Sequence, residues 1–499
     1  MSRTTFGRRL QIERRCFAFR IDYASRGDAN GFGLRVNLGR LKDRNISKQA
    51  SPNSHASLNL GDRNALASQT LRLRRNKAMK ESLNIMIVGA GTGGLCLAQG
   101  LRSDGTAAEV FERERTPADH QPGYRLSISA TGSAALNRCL PPALFARLAA
   151  SCAAPSTAVT FLDHELNRLL AIDLPHAERD SLEAERPVSR TALRRILLEG
   201  LGDTVQFGKK FEFFEDGPDG TVVAHFADGS SARGDVLIGA DGAGSRLRSQ
   251  LLPHARRVET GIIAVGGKVA LTPTSRSSVP AAILRGPTPI LGPHGCFMFA
   301  SAVQYNKTAG ASAPTPPGSD DLEQYVMWGF SARRAAFAAA DLEQHSAEEL
   351  KRAVLALMQD WHPALRLLVM TAEPSTVSAF TVKTSVPIPA WRTRNVTLLG
   401  DALHNMTPFR GIGANTALRD AASLRQALSA VRRGEKDLIP ALAAYERDMI
   451  DYGFNAVRTS LADMERFHAE GLLARTVTKA TFRAVDHLPP LKARFLAGR

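Results

Sequence analysis

Short apolar runs that end in glycine-rich turns recur along the chain, and a helical pattern follows the first of them. Residues 84–88 are mostly apolar, residues 89–94 read Gly-Ala-Gly-Thr-Gly-Gly, and residues 95–101 carry apolar side chains at helical spacing. A second apolar run, residues 108–111, precedes the acidic residue Glu112. Short apolar runs of this kind are typical of buried parallel strands. The pattern predicts a strand, a tight turn, a helix and a second strand.

The glycine turn has the residue types that a dinucleotide phosphate requires. Gly89 permits the turn, Gly91 lets the backbone approach a pyrophosphate, and Gly94 allows the helix to pack closely on the strand. The free N–H groups at the helix N-terminus favour an anion. Glu112 lies about twenty residues beyond the glycines, where a carboxylate can accept both hydroxyls of a ribose. Such an acid favours FAD or NAD over NADP at this site; the alternative for Glu112 is a solvated charge at a strand end.

Two further apolar runs end in turns that pair glycine with aspartate. Residues 235–240 lead into Asp241-Gly242, and residues 396–399 lead into Gly400-Asp401. A long helix is predicted from about residue 416 to residue 433. Three glycine turns after buried strands indicate an extended ligand that is contacted at three places.

These three motifs resemble those of the para-hydroxybenzoate hydroxylase family, the single-component FAD monooxygenases that include tetracycline-inactivating enzymes. The family has a glycine turn, a DG motif and a GD motif, matched here by residues 89–94, 241–242 and 400–401. The resemblance covers most of residues 84–450. One departure is that Gly411-Ile412 stands where the family usually has a glycine-glutamine pair, preceded by Arg410 in place of a small residue.

The resemblance implies roles for individual residues. Asp401 would hold the ribityl chain of FAD, Pro408 would lie beside the isoalloxazine ring, and the DG segment would lie close to FAD and to the passing nicotinamide. Arg190 resembles the arginine that opens a helix and reaches toward the flavin, with Arg125 as a second. Together the predicted cofactor-binding residues are Gly89, Gly91, Gly94, Glu112, Arg113, Arg125, Arg190, Asp241, Asp401, Pro408, Gly411, Gly413 and Asn415.

Two elementary arguments support part of this assignment. The carboxylate of Asp401 can accept a hydrogen bond from a flavin-chain hydroxyl, and Gly411 and Gly413 open a helix whose positive end can face the flavin pyrimidine edge and stabilise the reduced anion. His404 is interpreted as packing or hydrogen bonding locally, with catalysis as the alternative. No catalytic residue and no metal ligand is assigned.

The middle of the chain changes to short alternating runs, as at residues 261–265, 296–300 and 325–330. Alternation predicts strands of a second sheet, which in the resembling family covers the flavin and forms the substrate pocket. Candidates for the pocket lining, with ordinary sheet core as the alternative, are Phe297, Phe299, Trp328 and Phe330.

The predicted fold is α/β. A Rossmann-like FAD-binding domain of the glutathione reductase type is interleaved with a mixed β-sheet substrate domain and followed by C-terminal helices. The predicted segments are a basic, disordered extension at residues 1–78, the FAD-binding domain at 79–257 and 391–435, the substrate sheet at 258–390 and helices at 436–499.

Charge and cysteine usage bear on the cellular compartment and on the role of the N-terminal extension. The net charge is +16; residues 1–82 hold 18 Lys and Arg against 6 Asp and Glu, a net +12, so +4 remains for the other residues. Three interpretations of the extension stay open. It is the product of a translation start placed too far upstream, with Met79 as the true start, or a tail with a charge role, or a targeting segment. No run has the roughly 18 apolar residues of a membrane span, and the five cysteines form no CxxC pair, which fits a cytoplasmic protein without structural zinc.

The predicted function is FAD-dependent monooxygenation of a small aromatic, polyketide-like or other electron-rich substrate, using NAD(P)H and O2 through a flavin hydroperoxide. The single dinucleotide turn fits NAD(P)H as a transient reductant. Within enzymes, a flavin-dependent reductase or halogenase on the same fold is the alternative. Among proteins that are not enzymes, the alternatives are a non-catalytic flavoprotein or a nucleic-acid binder that uses the basic tail. RNA-binding and helix-turn-helix patterns are absent from the sequence. Specific nucleic-acid binding is not expected, and the oligomeric state is left open.

Overall fold

The structure is a computed structural model that describes residues 83–117, 125–174, 185–305, 324–339, 341–488 and 492. The predicted N-terminal extension therefore lies outside the described residues. The strands are β1 (Ile85–Val88), β2 (Ala108–Phe111), β3 (Arg125–Ile128), β4 (Ala158–Asp163), β5 (Arg168–Asp173), β6 (Arg186–Ser189), β7 (Val205–Gln206), β8 (Phe211–Asp216), β9 (Val222–Phe226), β10 (Ser231–Gly234), β11 (Val236–Gly239), β12 (Arg257–Ala270), β13 (Thr288–Leu291), β14 (Phe297–Val303), β15 (Tyr325–Arg333), β16 (Ser378–Ser385) and β17 (Val396–Leu398).

Helices connect and cover these strands. They are α1 (Thr92–Ser103), α2 (Ala130–Cys139), α3 (Pro142–Ser151), α4 (Arg190–Leu198), α5 (Arg246–Leu251), α6 (Pro273–Arg276), α7 (Ala281–Arg285), α8 (Ala347–Ala356), α9 (Pro363–Met370), α10 (Asp401–His404), α11 (Gly413–Arg432), α12 (Leu438–Phe467) and α13 (Leu472–His487). None of the described helices is long and apolar enough to cross a bilayer.

The first apolar run forms the central strand of a parallel sheet. All four residues of β1 are buried, and the sheet has the strand order β17-β11-β1-β2-β7. Val88, the last residue of β1, lies opposite Phe111 on one side and Gly239 on the other. Because these parallel strands end at the same edge, the three predicted motifs and Glu112 lie side by side there.

A seven-stranded mixed sheet forms the second layer, in the order β16-β12-β15-β14-β13-β4-β5. Its longest strand, β12, pairs antiparallel with β15 and β16. One face packs on α8 and α9 through Leu350, Val354 and Leu365. The other face packs on the C-terminal helices and on the segment that follows α10. On this face, Phe297 of the sheet contacts Phe467 of α12 and Phe409 of that segment.

The strand register divides the predicted pocket residues between the two faces. Met298 pairs with Phe330 and Ala300 pairs with Trp328, which puts these side chains on the face covered by α8 and α9. Trp328 and Phe330 are 1% and 0% exposed. Both residues therefore match the alternative interpretation as sheet core, on the face opposite to that of Phe297 and Phe299.

Phe297 and Phe299 lie on the other face of the same sheet. Phe297 is buried against Phe467, with ring centroids 4.7 Å apart, and Phe299 is partly buried. Their side chains therefore remain candidates for the pocket lining. The parallel sheet, the mixed sheet and the C-terminal helices confirm the predicted α/β fold class.

Burial of Phe330 predicts a loss of stability with no specific loss of substrate binding. Phe330→Ala should lower the free energy of unfolding by about 3–5 kcal/mol, because it leaves a cavity against α8 and α9. Phe380→Ala, on strand β16 of the same sheet, is the matched control, since that side chain is 42% exposed and its loss should cost well under about 1 kcal/mol. Urea denaturation of both variants measures the difference; equal losses would contradict the assignment of Phe330 to the core.

Candidate cofactor and active site

The turn between β1 and α1 combines crowded glycines with an open one. A Cβ on Gly89 would lie 2.3 Å from Ala240 O, and one on Gly94 would lie 2.1 Å from Gly89 O, so neither position admits a side chain. A Cβ on Gly91 would meet nothing within 4 Å. Gly91 precedes α1, and no side chain of the described residues caps that helix. The first turn of α1 thus has N–H groups and space for phosphate oxygens, which fits a dinucleotide.

The N–H and the carbonyl of Ala90 are both hydrogen bonded to charged side chains, which fixes this turn. Its N–H donates to Glu112 Oε2 at 2.7 Å, and its carbonyl accepts a hydrogen bond from Arg194 Nε at 3.2 Å. Arg194 Nη2 also pairs with Glu114 Oε2 at 2.7 Å. Glu112 is 7% exposed, so its alternative interpretation as a solvated charge was wrong. The carboxylate lies beside the turn, as the ribose prediction requires.

Arg194 was missed in the sequence, although a signal was present. Helix α4 buries Leu193, Ile196 and Leu197, and Arg194 lies among them on the buried side. A charged side chain within the apolar part of a helical pattern needs a buried partner. Its partners here are the Ala90 carbonyl, the Pro117 carbonyl and Glu114.

The remaining predicted basic residues lie in different environments. Arg113 is exposed directly after Glu112, and Arg190 is exposed as the first residue of α4. Arg125 is buried at the start of β3, opposite Ser189 in the pairing of β3 with β6. Burial lowers the pKa of Arg125 from its ordinary value, although the charge of Glu185 partly opposes the shift. The pairing places Arg125 next to the residue that precedes Arg190.

Asn415 joins the first turn of α11 to the end of β3. Its Oδ1 accepts a hydrogen bond from Ser129 N at 2.9 Å, and its Nδ2 donates to Ser127 O at 2.9 Å. A Cβ on Gly132 would lie 2.2 Å from Asn415 Oδ1. The amide group therefore holds α11 against β3, and its predicted contact with the cofactor stays a prediction.

The DG turn contains a buried oxygen that lacks a hydrogen-bond partner. Asp241 Oδ2 accepts from Arg246 N at 3.0 Å and Leu247 N at 3.4 Å, at the start of α5. Asp241 Oδ1 is buried and has no partner among the described residues. Burial raises the pKa of Asp241, outweighing the hydrogen bonds that favour its ionised form. A free buried acceptor beside Gly242 fits a ligand hydroxyl or amide.

Two arginines join the DG turn to the GD turn. Arg248 Nη1 donates to Ala243 O at 3.1 Å and to Ala402 O at 2.9 Å. Arg257 Nη1 donates to the same Ala243 carbonyl at 3.0 Å, and its Nε donates to Asn405 Oδ1 at 2.9 Å. Burial lowers the pKa of both arginines. Sequence reasoning did not identify either residue, because their partners are carbonyls more than a hundred residues away or in irregular loops.

The GD turn and the segment after it present exposed groups at the start of α11. Asp401 is exposed, and a Cβ on Gly413 would lie 3.9 Å from its Oδ1. Pro408 is exposed and begins a single helical turn that ends before Gly411, whose φ is +63°. A Cβ on Gly411 would meet nothing within 4 Å. Asp401 therefore lies close to the first residue of α11, and Gly411 leaves open space just before that helix.

A buried carboxylate behind the GD turn holds it in place. Asp420 Oδ2 accepts hydrogen bonds from Gly400 N and His404 Nε2, each at 2.7 Å, and Oδ1 accepts from Tyr452 Oη at 2.6 Å. Burial lowers the pKa of His404, but the charge and hydrogen bond of Asp420 outweigh it and leave the pKa raised. His404 is 1% exposed, so the interpretation of local hydrogen bonding is confirmed.

Helix α12 holds strand β17, which leads into the GD turn. Glu446 Oε1 accepts from Thr397 Oγ1 at 2.8 Å, and Glu446 Oε2 accepts from Thr393 Oγ1 at 2.5 Å. Tyr445 Oη donates to Leu398 O at 2.9 Å. Burial raises the pKa of Glu446 to about 7, although these hydroxyl bonds oppose the shift.

An apolar surface faces the segment that follows the GD turn. The Phe409 ring lies 5.6 Å from the Phe297 ring and 5.0 Å from the His468 ring, measured between centroids. Gly329 pairs with Phe299 on this face of the sheet, and a Cβ on Gly329 would meet nothing within 4 Å. The sheet therefore has open space at Gly329, beside Phe299, and Phe409 packs on Phe297 of the same face.

His468 is a polar residue of this region that sequence reasoning missed. Its Nδ1 lies 2.8 Å from Met464 O and its Nε2 lies 2.9 Å from Ser331 Oγ. Burial lowers the pKa of His468 to about 4. The neutral ring donates through Nδ1 to the carbonyl, and Nε2 accepts from the Ser331 hydroxyl.

Comparison with known proteins agrees with this geometry. Residues 82–460 match the family model described as FAD binding domain. The dual O-methyltransferase/FAD-dependent monooxygenase of Phaeosphaeria nodorum is 33% identical over 408 residues, which cover 74% of this chain and 43% of that protein. Aurachin C monooxygenase/isomerase of Stigmatella aurantiaca is 30% identical, with 74% and 85% covered.

A solved structure shares the fold. It is HpxO of Klebsiella pneumoniae complexed with FAD and uric acid, with a TM-score of 0.64, 23% identity, and coverage of 81% of this chain and 93% of that one. The chain belongs to the FAD-binding domain family, and the predicted resemblance to para-hydroxybenzoate hydroxylase-like flavoproteins is confirmed. FAD is the cofactor of this family. The chain spans less than half the length of the first curated relatives that it matches.

The raised pKa of Glu446 predicts a pH-dependent stability. The pKa is about 7 in the folded protein and lower when the chain unfolds, so the native state binds an extra proton between the two values and becomes less stable as pH rises through them. Between about pH 5 and about pH 8, this group should remove about 2 kcal/mol from the free energy of unfolding.

Urea denaturation of the wild type and Glu446→Gln across that pH range measures the effect. The free energy of unfolding of the wild type, minus that of the variant, should fall as pH rises. A difference that does not change with pH would show that Glu446 is already ionised at the acid end of the range.

Proposed function

We propose that the chain is an FAD-dependent monooxygenase that uses NAD(P)H and O2 to hydroxylate or epoxidise an electron-rich aromatic or polyketide-like substrate. The observation that carries the proposal is the meeting of three ligand-accepting turns at one sheet edge, beside an apolar aromatic surface of the second sheet. The names of relatives support the reaction type: one is a dual O-methyltransferase/FAD-dependent monooxygenase, and another is aurachin C monooxygenase/isomerase.

The described residues fit FAD at several positions. Gly91 and the first turn of α1 would hold the pyrophosphate, Glu112 the adenosine ribose, and Asp401 a hydroxyl of the ribityl chain. Asp241 Oδ1, buried without a partner among the described residues, would accept a hydrogen bond from the cofactor or the nicotinamide. The exposed Arg113 and Arg190 would face the phosphates and the flavin.

The start of α11 would serve the flavin ring. No described side chain caps this helix, so the N–H groups near Gly411 and Gly413 are available to the pyrimidine edge. The positive end of the helix stabilises negative charge on the ring. Pro408 would lie beside the ring, Asn415 would keep α11 against β3, and Arg125 would add a buried positive charge on the β3 side.

The protein's part in the reaction would be binding, orientation and exclusion of water. FAD, when bound, supplies the electron transfer from NAD(P)H and the activation of O2. The partly buried Phe299 and Phe409 would offer apolar surface for a flat substrate, and Gly329 leaves space beside Phe299. His468 would remain neutral at pH 7 and keep Ser331 Oγ in a fixed orientation on the same face. A water-excluding pocket of this kind favours transfer of oxygen to the substrate over release of reduced oxygen.

Gly91 tests the proposed pyrophosphate site without disturbing the fold. Gly91→Ala adds a methyl group that meets no protein atom within 4 Å but would meet a pyrophosphate, so FAD should bind at least about tenfold more weakly at unchanged stability. Gly329→Ala is the control, because its Cβ also meets no protein atom and should leave FAD affinity unchanged.

Titration of the FAD-free variants by flavin fluorescence, with urea denaturation alongside, separates binding from folding. Gly94→Ala should lose both FAD affinity and stability, since its Cβ would lie 2.1 Å from Gly89 O. Wild-type FAD affinity in Gly91→Ala would refute the proposed phosphate site.

The reaction is tested with the purified chain and a panel of phenols, anthraquinones and tetracyclines. Oxidation of NADH or NADPH and consumption of O2 should both rise with a substrate, and mass spectrometry with isotopically labelled O2 should show one added oxygen atom from O2. A product heavier by two hydrogens without O2 consumption would instead establish a reductase, and a halide-dependent product would establish a halogenase. A flavin-containing protein that oxidises neither nucleotide with any acceptor would favour a non-catalytic role.

A further inference from the structure

Helix α13 packs on the second sheet through one side only. Phe482 is buried, and its ring centroid lies 4.6 Å from that of Phe161 in β4. Asp486 Oδ1 accepts a hydrogen bond from Ala171 N of β5 at 3.0 Å, and Lys479 lies 3.7 Å from Asp163. These contacts fix which side of the helix faces away from the protein.

The opposite side of α13 is apolar and exposed. Leu473 and Val477 are 79% and 55% exposed, and the exposed Ala480 and Ala484 continue the row. Intervals of three and four residues put these four on one side of the helix; we call these four residues the outer face of α13. Leu472, 79% exposed, lies at its N-terminal end. A continuous apolar stripe of this kind marks an interaction surface, whereas single exposed apolar residues do not.

The charges beside the outer face are positive. Arg483 is exposed at its border and Arg475 is partly exposed on the same helix, whereas Lys479 lies near Asp163 on the packed side. The acidic residue of α13, Asp486, is 9% exposed and is paired with Lys492 at 2.8 Å. An apolar stripe bordered by basic side chains matches the acyl chains and the negative headgroups of an anionic membrane surface.

We propose that the outer face of α13 binds an anionic phospholipid surface, with the helix lying parallel to the membrane plane. At about 1.5 Å per residue, its sixteen residues would lie along roughly 24 Å of the surface. A second copy of the chain fits this face less well, because pairing two such helices would bring Arg483 and its basic neighbours toward like charges. This inference is independent of the proposed oxygenase reaction.

Co-sedimentation of the full chain with vesicles tests the proposal. The vesicles contain equal parts phosphatidylcholine and phosphatidylglycerol, with phosphatidylcholine alone for comparison. The wild type should sediment with the anionic vesicles, and Leu473→Ser/Val477→Ser should bind about tenfold more weakly, since it removes two large apolar side chains from the lipid contact. Both side chains are more than half exposed, so the fold should be unchanged.

A matched control and a salt series separate the helix from the basic N-terminal segment. Leu367→Ser/Met370→Ser changes two apolar side chains on α9 that are 37% and 56% exposed and should bind as the wild type does. Raising the salt concentration weakens attraction of basic residues to the vesicles in every variant, but the deficit of the α13 variant should persist.

Three results would overturn the proposal. One is equal binding of the wild type and the α13 variant, which would place the lipid contact elsewhere. Another is no binding of the wild type to anionic vesicles. The third is a wild-type dimer in sedimentation velocity that the α13 substitutions convert to a monomer, which would assign the outer face to a second copy.

Discussion

Backbone hydrogen bonds at the ends of adjacent parallel strands determine where the three glycine turns of the candidate site lie. Just beyond the strands, Gly89 N donates to Phe111 O and Ala240 N donates to Val88 O, each at 2.8 Å, and Leu399 N donates to Gly239 O at 2.9 Å. These bonds extend the ladder into the three turns. Buried backbone groups without partners are costly, so the turns begin at defined positions relative to one another although they lie far apart in the sequence.

Buried charged side chains then fix the shape of each turn. Glu112 and Arg194 hold the N–H and the carbonyl of Ala90, Arg248 and Arg257 share the Ala243 carbonyl, and Asp420 accepts from Gly400 N. Burying charges costs free energy unless they are paired and hydrogen bonded. Their contribution is therefore a rigid loop geometry, which a site for an extended cofactor requires.

Helix α12 connects the cofactor side of the molecule to the second sheet. Its first half packs in the core of the parallel sheet through Tyr445 and Met449, and its last turns reach the mixed sheet through Met464 and Phe467. Phe409, in the segment that follows the GD turn, contacts the same clusters. The aromatic surface and the GD turn consequently both pack on this one helix.

The sequence alone determined the parallel strands, the three turns and the acid after β2, because glycine conformation, strand burial and strand-end carboxylates act over a few neighbouring residues. It also indicated the second sheet and the local role of His404. Arg248, Arg257, Asp420 and Glu446 were beyond it, since their hydrogen-bond partners are brought together only by tertiary packing. The helical pattern of α4 signals the burial of Arg194 but not its partners. The tertiary structure also decided the face of Trp328 and Phe330: alternation shows that two faces exist, but only the packing of α8 and α9 decides which one is covered.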